Sequence, residues 1–122
     1  MADTFRITLG QLNPTVGDIP GNAAKARAAW EAGRAAGADL VALPEMFLTG
    51  YQPQDLVRKP AFVADCVRHL EALAADCADG PALGIGAPWW GEGDDKPHNA
   101  WFVFEGGDTV ASASACRNAA YR

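Results

Sequence analysis

Three observations predict an α/β domain built on a parallel sheet. Short apolar segments near residues 5–12, 40–43 and 82–88 have the length and patterning of strands. Two stretches between them, Ala23 to Ala36 and Val63 to Cys77, carry helical composition and spacing. Each strand–helix–strand step leaves more than a dozen residues for the crossover, which suits parallel rather than hairpin pairing.

The elements follow in order along the chain. Phe5, Ile7 and Leu9 alternate with Arg6 and Thr8, the mark of a strand. Asn13-Pro14-Thr15-Val16-Gly17-Asp18 ends it with turn chemistry. Asp18 or Asn22 can cap the alanine-rich helix, Pro20 fits a first turn, and Gly37 supplies a left-handed stop. Leu40 to Leu43 is a continuous apolar run, as expected of a strand covered on both faces. Polar turn residues occupy Thr49 to Pro60. In the second helix Val63, Cys66, Val67, Leu70, Leu73, Ala74 and Cys77 recur at intervals of three and four. Asp79-Gly80-Pro81 stops it. Ala82 to Pro88 reads as a buried strand, Trp89 to Pro97 as a loop packed on the core, and Asn99 to Phe104 as a strand. Glu105-Gly106-Gly107-Asp108 is a hairpin turn leading into Thr109-Val110-Ala111. From Ser112 to Arg122 no clear period is visible, so the domain is expected to occupy residues 1–111 and a divergent tail residues 112–122.

Composition narrows the function classes. With 122 residues there is room for one domain at most. A net charge of -5, with ten scattered Lys and Arg, argues against a partner held through nucleic-acid phosphates. No stretch approaches the roughly 18 apolar residues of a membrane span, and Met1-Ala2-Asp3-Thr4-Phe5 lacks the basic and apolar regions of a secretory signal. Three cysteines, spaced by 11 and 39 residues, form neither a disulfide framework nor a metal knuckle, and predict a reducing cytoplasm with buried thiols. His69 and His98 have no partner at metal-ligand spacing, so no metal site is assigned.

Glu45 is the candidate catalytic residue. A carboxylate that directly follows an apolar strand sits at its C-terminal end, where open α/β sheets place their ligands. Pro44 holds Leu43 extended, so the strand runs right up to the glutamate. The following Met46, Phe47 and Leu48 predict partial desolvation and a raised pKa, suited to a general base. On these grounds alone an ordinary surface glutamate remains the commoner reading.

An ordered series of segments changes that weighting. Gln11-Leu12-Asn13-Pro14-Thr15-Val16-Gly17-Asp18 with Gly21-Asn22 comes first. Leu43 to Tyr51, Asp55-Leu56 and Arg58-Lys59-Pro60-Ala61-Phe62 follow, and then Gly86-Ala87-Pro88, His98-Asn99-Ala100 and Gly106-Gly107. Over residues 5–111 the series resembles the glutaminase domains of glutamine-dependent NAD synthetases, members of the nitrilase, or carbon-nitrogen hydrolase, superfamily. The resemblance implies a four-layer α-β-β-α sandwich of which only the N-terminal half is present. It also implies a Glu-Lys-Cys triad that hydrolyses the side-chain amide of glutamine. Ammonia then passes to a synthetase domain, absent here, that amidates deamido-NAD with ATP and magnesium. The glutaminase part itself needs no cofactor, and the full enzyme is expected to be a homo-oligomer. Another amidase or carbamoyl-amine hydrolase of the superfamily is the alternative enzyme, and a non-catalytic stub the alternative of another class.

Carried over residue by residue, only Glu45 maps onto the triad. Tyr51 matches a tyrosine of the glutamine pocket, with a half-buried turn aromatic as the alternative. Gln52-Pro53-Gln54-Asp55 departs from the family's usual Pro-Pro-Glu-Asp. The family's lysine is expected near residues 109–120, yet no lysine follows Lys96. Arg117 does not replace it, because a guanidinium presents charge and donors in a different geometry. The nucleophilic cysteine is expected beyond residue 122. Cys66 and Cys77 lie on an apolar helix face, and Cys116 falls in the tail. Read one nucleotide out of register, codons for Ala115 to Arg122 can encode Leu-Pro-x-x-Gly-Val, the family's lysine-bearing segment in outline. A frameshift truncation is therefore expected, and with it a chain inactive by itself.

Overall fold

The computed structural model describes residues 3–91 and 97–115. Five strands form one mixed sheet in the order β1-β2-β3-β4-β5. β1 (Ile7–Leu9), β2 (Leu40–Ala42) and β3 (Ala82–Trp89) are parallel. β4 (His98–Glu105) and β5 (Asp108–Ala115) continue the sheet antiparallel. Helices α1 (Ile19–Ala35) and α2 (Pro60–Asp76) are the two crossovers, and a short 3₁₀ turn spans Gln54–Arg58. The strand–helix alternation expected from the sequence is the one observed.

Local chemistry explains the helix ends. Of the two candidate caps, Asp18 holds the N-cap of α1, its carboxylate accepting from the Gly21 amide at 3.0 Å, and Pro20 lies in the first turn. Gly37, at φ +76°, takes the left-handed stop. Pro60 opens α2, which ends one residue before Cys77.

Sequential parallel strands with right-handed crossovers place both helices on one face of the sheet. The core lies there: Ile19, Ala23, Ala26 and Trp30 of α1 and Cys66, Leu70 and Leu73 of α2 pack on Val41, Leu83, Ile85, Phe102 and Phe104. Trp30 also anchors the α2–β3 connection, its indole N–H donating to Pro81 O at 2.8 Å. Complete loss of such a buried aromatic typically costs about 3–5 kcal/mol.

The strands carry opposite character on their other face. Thr8 pairs with Val41, which is buried under the helices, so Ile7 and Leu9 point away from them. Ile7 is 52% exposed, Leu9 67% and nearby Phe5 66%. In β5 the pairing runs on to Ala115, four residues beyond the expected strand end, opposite Asn99 to Phe102. Its alternating serine and alanine leave the second face there nearly bare. The second face is thus uncovered at β1 and β5, whereas every residue of β3 from Ala82 to Pro88 is buried on both sides, a partly covered sheet as in one side of a sandwich.

An apolar face of this kind on edge strand β1 drives self-association. Analytical ultracentrifugation of the purified chain is expected to show concentration-dependent oligomers. Replacing Ile7 and Leu9 together by lysine is expected to shift the population toward monomer without loss of helix content. A wild-type chain that stays monomeric and unfolds in one sharp transition would contradict this.

Candidate active site

The backbone leaves β2 through a turn that is more tightly built than its loop position suggests. Leu43 N–H still donates to Gly84 O at 2.8 Å, continuing the parallel ladder. In a regular parallel ladder the next bond would run from Gly86 N–H to Leu43 O. Here Gly86 N–H donates instead to Pro44 O at 3.3 Å, and Leu48 N–H returns to Gly86 O at 3.1 Å. The chain therefore slips by one residue and folds back over β3.

Two backbone features make that possible. Met46 adopts φ +52°, a left-handed conformation unusual for a side chain of this size. At Gly86 a Cβ would collide with the Met46 amide and approach Pro44 O to 2.7 Å, so only glycine lets the turn lie this close.

The consequence for Glu45 runs against the desolvation expected from its neighbours. Met46, Phe47 and Leu48 are all buried, while Glu45 and Pro44 are exposed. The left-handed kink turns the apolar residues into the core and leaves the carboxylate outside.

On its far side the turn is tied to the segment before α1. Asn22, fully buried, accepts from Thr15 N–H at 2.8 Å and donates to Thr15 O at 2.8 Å and Leu48 O at 2.9 Å. Gly17 N–H donates to Thr49 O at 2.9 Å. The Thr49 hydroxyl, also fully buried, sits between the carbonyl oxygens of Met46 at 3.3 Å and Gly50 at 3.1 Å.

Beside Glu45 lies a shallow recess of about 270 Å³, lined by Asn99, Ala100, Trp101 and Ala113. Trp101 was not among the sequence-predicted site residues. It comes opposite Gly86 through the β3–β4 pairing, a register that no tight turn in the sequence fixes. Tyr51 does not line this recess. It is 55% exposed, and its hydroxyl accepts from Gln52 Nε2 at 3.3 Å. Lys25 does not line it either; its ammonium donates to Asn13 O at 2.9 Å. A larger groove of about 670 Å³ lies under α2 against Phe102 and Phe104, and no predicted site residue lines it.

The two described cysteines behave as core residues. Cys66 and Cys77 are free and buried. Burial pushes the Cys66 thiol up to about 12, with the Asp65 carboxylate adding to the effect. Burial likewise raises Cys77 to about 11, partly offset by Arg27. Neither is a competent thiolate nucleophile near neutrality. Cys116 and Arg117 lie outside the described residues. His69 is half-buried, its Nδ1 2.9 Å from Asp65 O. Among the described residues no three His, Cys, Asp or Glu side chains could together hold a metal ion.

Comparison with known proteins decides the family. The profile of carbon-nitrogen hydrolases matches residues 6–118. The chain belongs to the carbon-nitrogen hydrolase family. Within it, the chain is 64% identical over 113 residues to a glutamine-dependent NAD(+) synthetase of Rhodobacter capsulatus, covering 93% of this chain and 20% of that protein. A glutamine-dependent NAD(+) synthetase of Thermotoga maritima is 43% identical over 70 residues, 57% of this chain and 12% of that protein. The chain thus spans a fifth or less of the length of these relatives. Among solved structures, a glutamine-dependent NAD(+) synthetase from Cytophaga hutchinsonii superposes with a TM-score of 0.86 at 25% identity, covering 96% of this chain and 20% of that one. An amidase from Nesterenkonia sp. shares the fold, with a TM-score of 0.75 at 23% identity over 93% of this chain and 43% of that one. The five-stranded mixed sheet is therefore part of a nitrilase-type carbon-nitrogen hydrolase fold.

The thiols supply a pH prediction. Each is held protonated in the folded chain above the pH at which it ionises when unfolded. Their contribution to stability is therefore complete below about pH 9 and is lost as pH rises toward 11 and 12. Urea midpoints are expected to fall above pH 9, and Cys66 and Cys77 to resist thiol reagents at pH 8 until the chain unfolds. Rapid labelling of either residue in native buffer would contradict the assignment.

Proposed function

We propose that this chain supplies the general base of a glutamine-hydrolysing site, as the first part of the glutaminase domain of a glutamine-dependent NAD synthetase. The observation that carries the reading is the position of Glu45. It is an exposed carboxylate on a rigid turn at the C-terminal end of a parallel strand, within a chain 64% identical to an enzyme of that name.

In this reading Glu45 accepts the proton of a cysteine thiol supplied by polypeptide beyond the present chain. The sulfur attacks the amide carbon of glutamine, and the family's lysine, expected near residues 109–120 and missing from this chain, would balance the oxyanion. The C–N bond breaks, and Glu45 returns its proton to the departing nitrogen, which leaves as ammonia. Water then adds to the thioester carbon, giving a proton to Glu45, and glutamate is released as the thiol is restored. Tyr51 would border the glutamine pocket only once further polypeptide encloses it, consistent with its present exposure. ATP and magnesium belong to the synthetase step, and no described residue of this chain is assigned to them. The protein is proposed to act in the cytoplasm, within a homo-oligomeric enzyme.

An amidase acting on other amides is the second reading, favoured by the fold shared with the Nesterenkonia amidase. A non-catalytic stub is the reading for the chain standing alone, supported by the lack of a lysine after Lys96 and, among the described residues, of a usable cysteine beside Glu45.

A chimera separates these readings. Residues 6–111 of this chain replace the matching segment of the Rhodobacter capsulatus enzyme, and NAD synthesis is measured with glutamine or with ammonium salt as nitrogen donor. The chimera is expected to use both, whereas Glu45→Gln is expected to lose glutamine-dependent synthesis by at least about a hundredfold, the scale of general-base loss, and to keep ammonium-dependent synthesis. The purified 122-residue chain alone is expected to release no ammonia from glutamine. Full glutamine-dependent activity in Glu45→Gln would overturn the assignment.

A further inference from the structure

The slipped ladder leaves one carbonyl in need of a donor. Gly86 N–H, which regular pairing would give to Leu43 O, goes to Pro44 O instead. The donor that reaches Leu43 O is the indole N–H of Trp101, at 2.8 Å. Trp101 lies on β4, two strands away from Leu43, and crosses β3 to make this bond. It can do so because Gly84 lies between them without a side chain: a Cβ there would collide with the indole ring.

The same residue also lines the recess beside Glu45. Trp101 and Glu45 line one recess, and Trp101 pairs across the sheet with Gly86, the residue over which the Glu45 turn folds. One side chain therefore contacts the backbone two residues before Glu45, roofs the strand beneath the turn and walls the space beside the carboxylate.

We propose that Trp101 is a positioning residue for Glu45: its indole N–H takes up the Leu43 carbonyl released by the slipped ladder and so fixes the direction in which the carboxylate leaves β2. The proposal rests on Glu45 being the general base. A buried carbonyl that loses its donor pulls the backbone toward another one, and the nearest alternative is the regular bond to Gly86 N–H. Restoring that bond would withdraw Gly86 from Pro44 and rotate the peptide that carries Glu45. Trp101 makes the catalytic geometry the favoured arrangement without touching the reacting atoms. Misplacement of a base by about 1 Å is enough to cost on the order of a hundredfold in rate.

The test uses the chimera described above, with two changes at position 101. Trp101→Phe removes the donor and part of the ring. Replacement of Trp101 by benzothienylalanine keeps the ring size and exchanges only the N–H for sulfur. Both are expected to lower kcat for glutamine hydrolysis at least tenfold, with KM for glutamine within twofold and ammonium-dependent synthesis unchanged. A purely structural role would instead depress both nitrogen sources together or lower the thermal midpoint of the benzothienylalanine protein, and either result overturns the proposal. So does wild-type kcat in the benzothienylalanine protein. Glu45→Gln in the same background keeps the two ideas apart. If it retains glutamine hydrolysis, the base assignment fails; if it is inactive while both position-101 proteins are fully active, only the role of Trp101 fails.

Discussion

The close approach of the Leu43–Gly50 turn to β3 is the constraint on which the candidate site depends. A parallel ladder that ended cleanly at Ala42 would release the chain into solvent, and a glutamate three residues later would have no fixed direction. Instead the turn stays hydrogen-bonded to both sides of Gly86, at Pro44 and at Leu48. This contact excludes any side chain at position 86 and demands a left-handed Met46. Such backbone strain persists only where surrounding contacts over-determine it. Here they come from three directions: β3 beneath, Asn22 and Gly17 on one flank, and Trp101 on the other.

That arrangement separates two tasks usually in conflict. The apolar residues beside Glu45 are needed in the core, where Phe47 and Leu48 are fully buried. The Glu45 carboxylate, by contrast, is exposed. A left-handed residue between them serves both ends, sending Phe47 inward while Glu45 remains outside. The uncovered sheet face follows the same logic at larger scale. Ile7 and Leu9 are strand residues of core character with nothing packed on them.

Much of this could be read from the residues alone, and what could not has a common cause. Local patterns marked every strand and both helices: alternation at β1, apolar runs at β2 and β3, alanine-rich composition in α1, three- and four-residue spacing in α2 and the Gly106-Gly107 turn before β5. Asp18 and Pro20 marked the start of α1 for equally local reasons. Glu45 was found from Leu40 to Leu43 and Pro44, a strand running up to an acid. Its exposure was misjudged, because Met46-Phe47-Leu48 reads as shielding until the φ of Met46 is known, and no propensity assigns a methionine to the left-handed region. Asn22 looked like a second capping candidate; its role lies in bonds to Thr15 and Leu48 that only the tertiary fold brings near. Trp101 carried no local signal, since its partners Leu43 and Gly84 are distant in sequence. The end of β5 was missed because Ser112 to Ala115 has no apolar alternation, and only its pairing with β4 makes it a strand.

By its hydrogen bonds to β3, the Glu45 turn is a fixed part of the sheet rather than a surface loop. Amide hydrogen exchange on the purified chain tests it most directly, residue by residue. The N–H groups of Leu48, Gly86 and Gly17, which close the turn onto β3 and the pre-helical segment, are expected to exchange as slowly as the amides of the α1 core around Ala26. Exchange of these three near the rate of an unstructured chain, with Ala26 still protected, would contradict it.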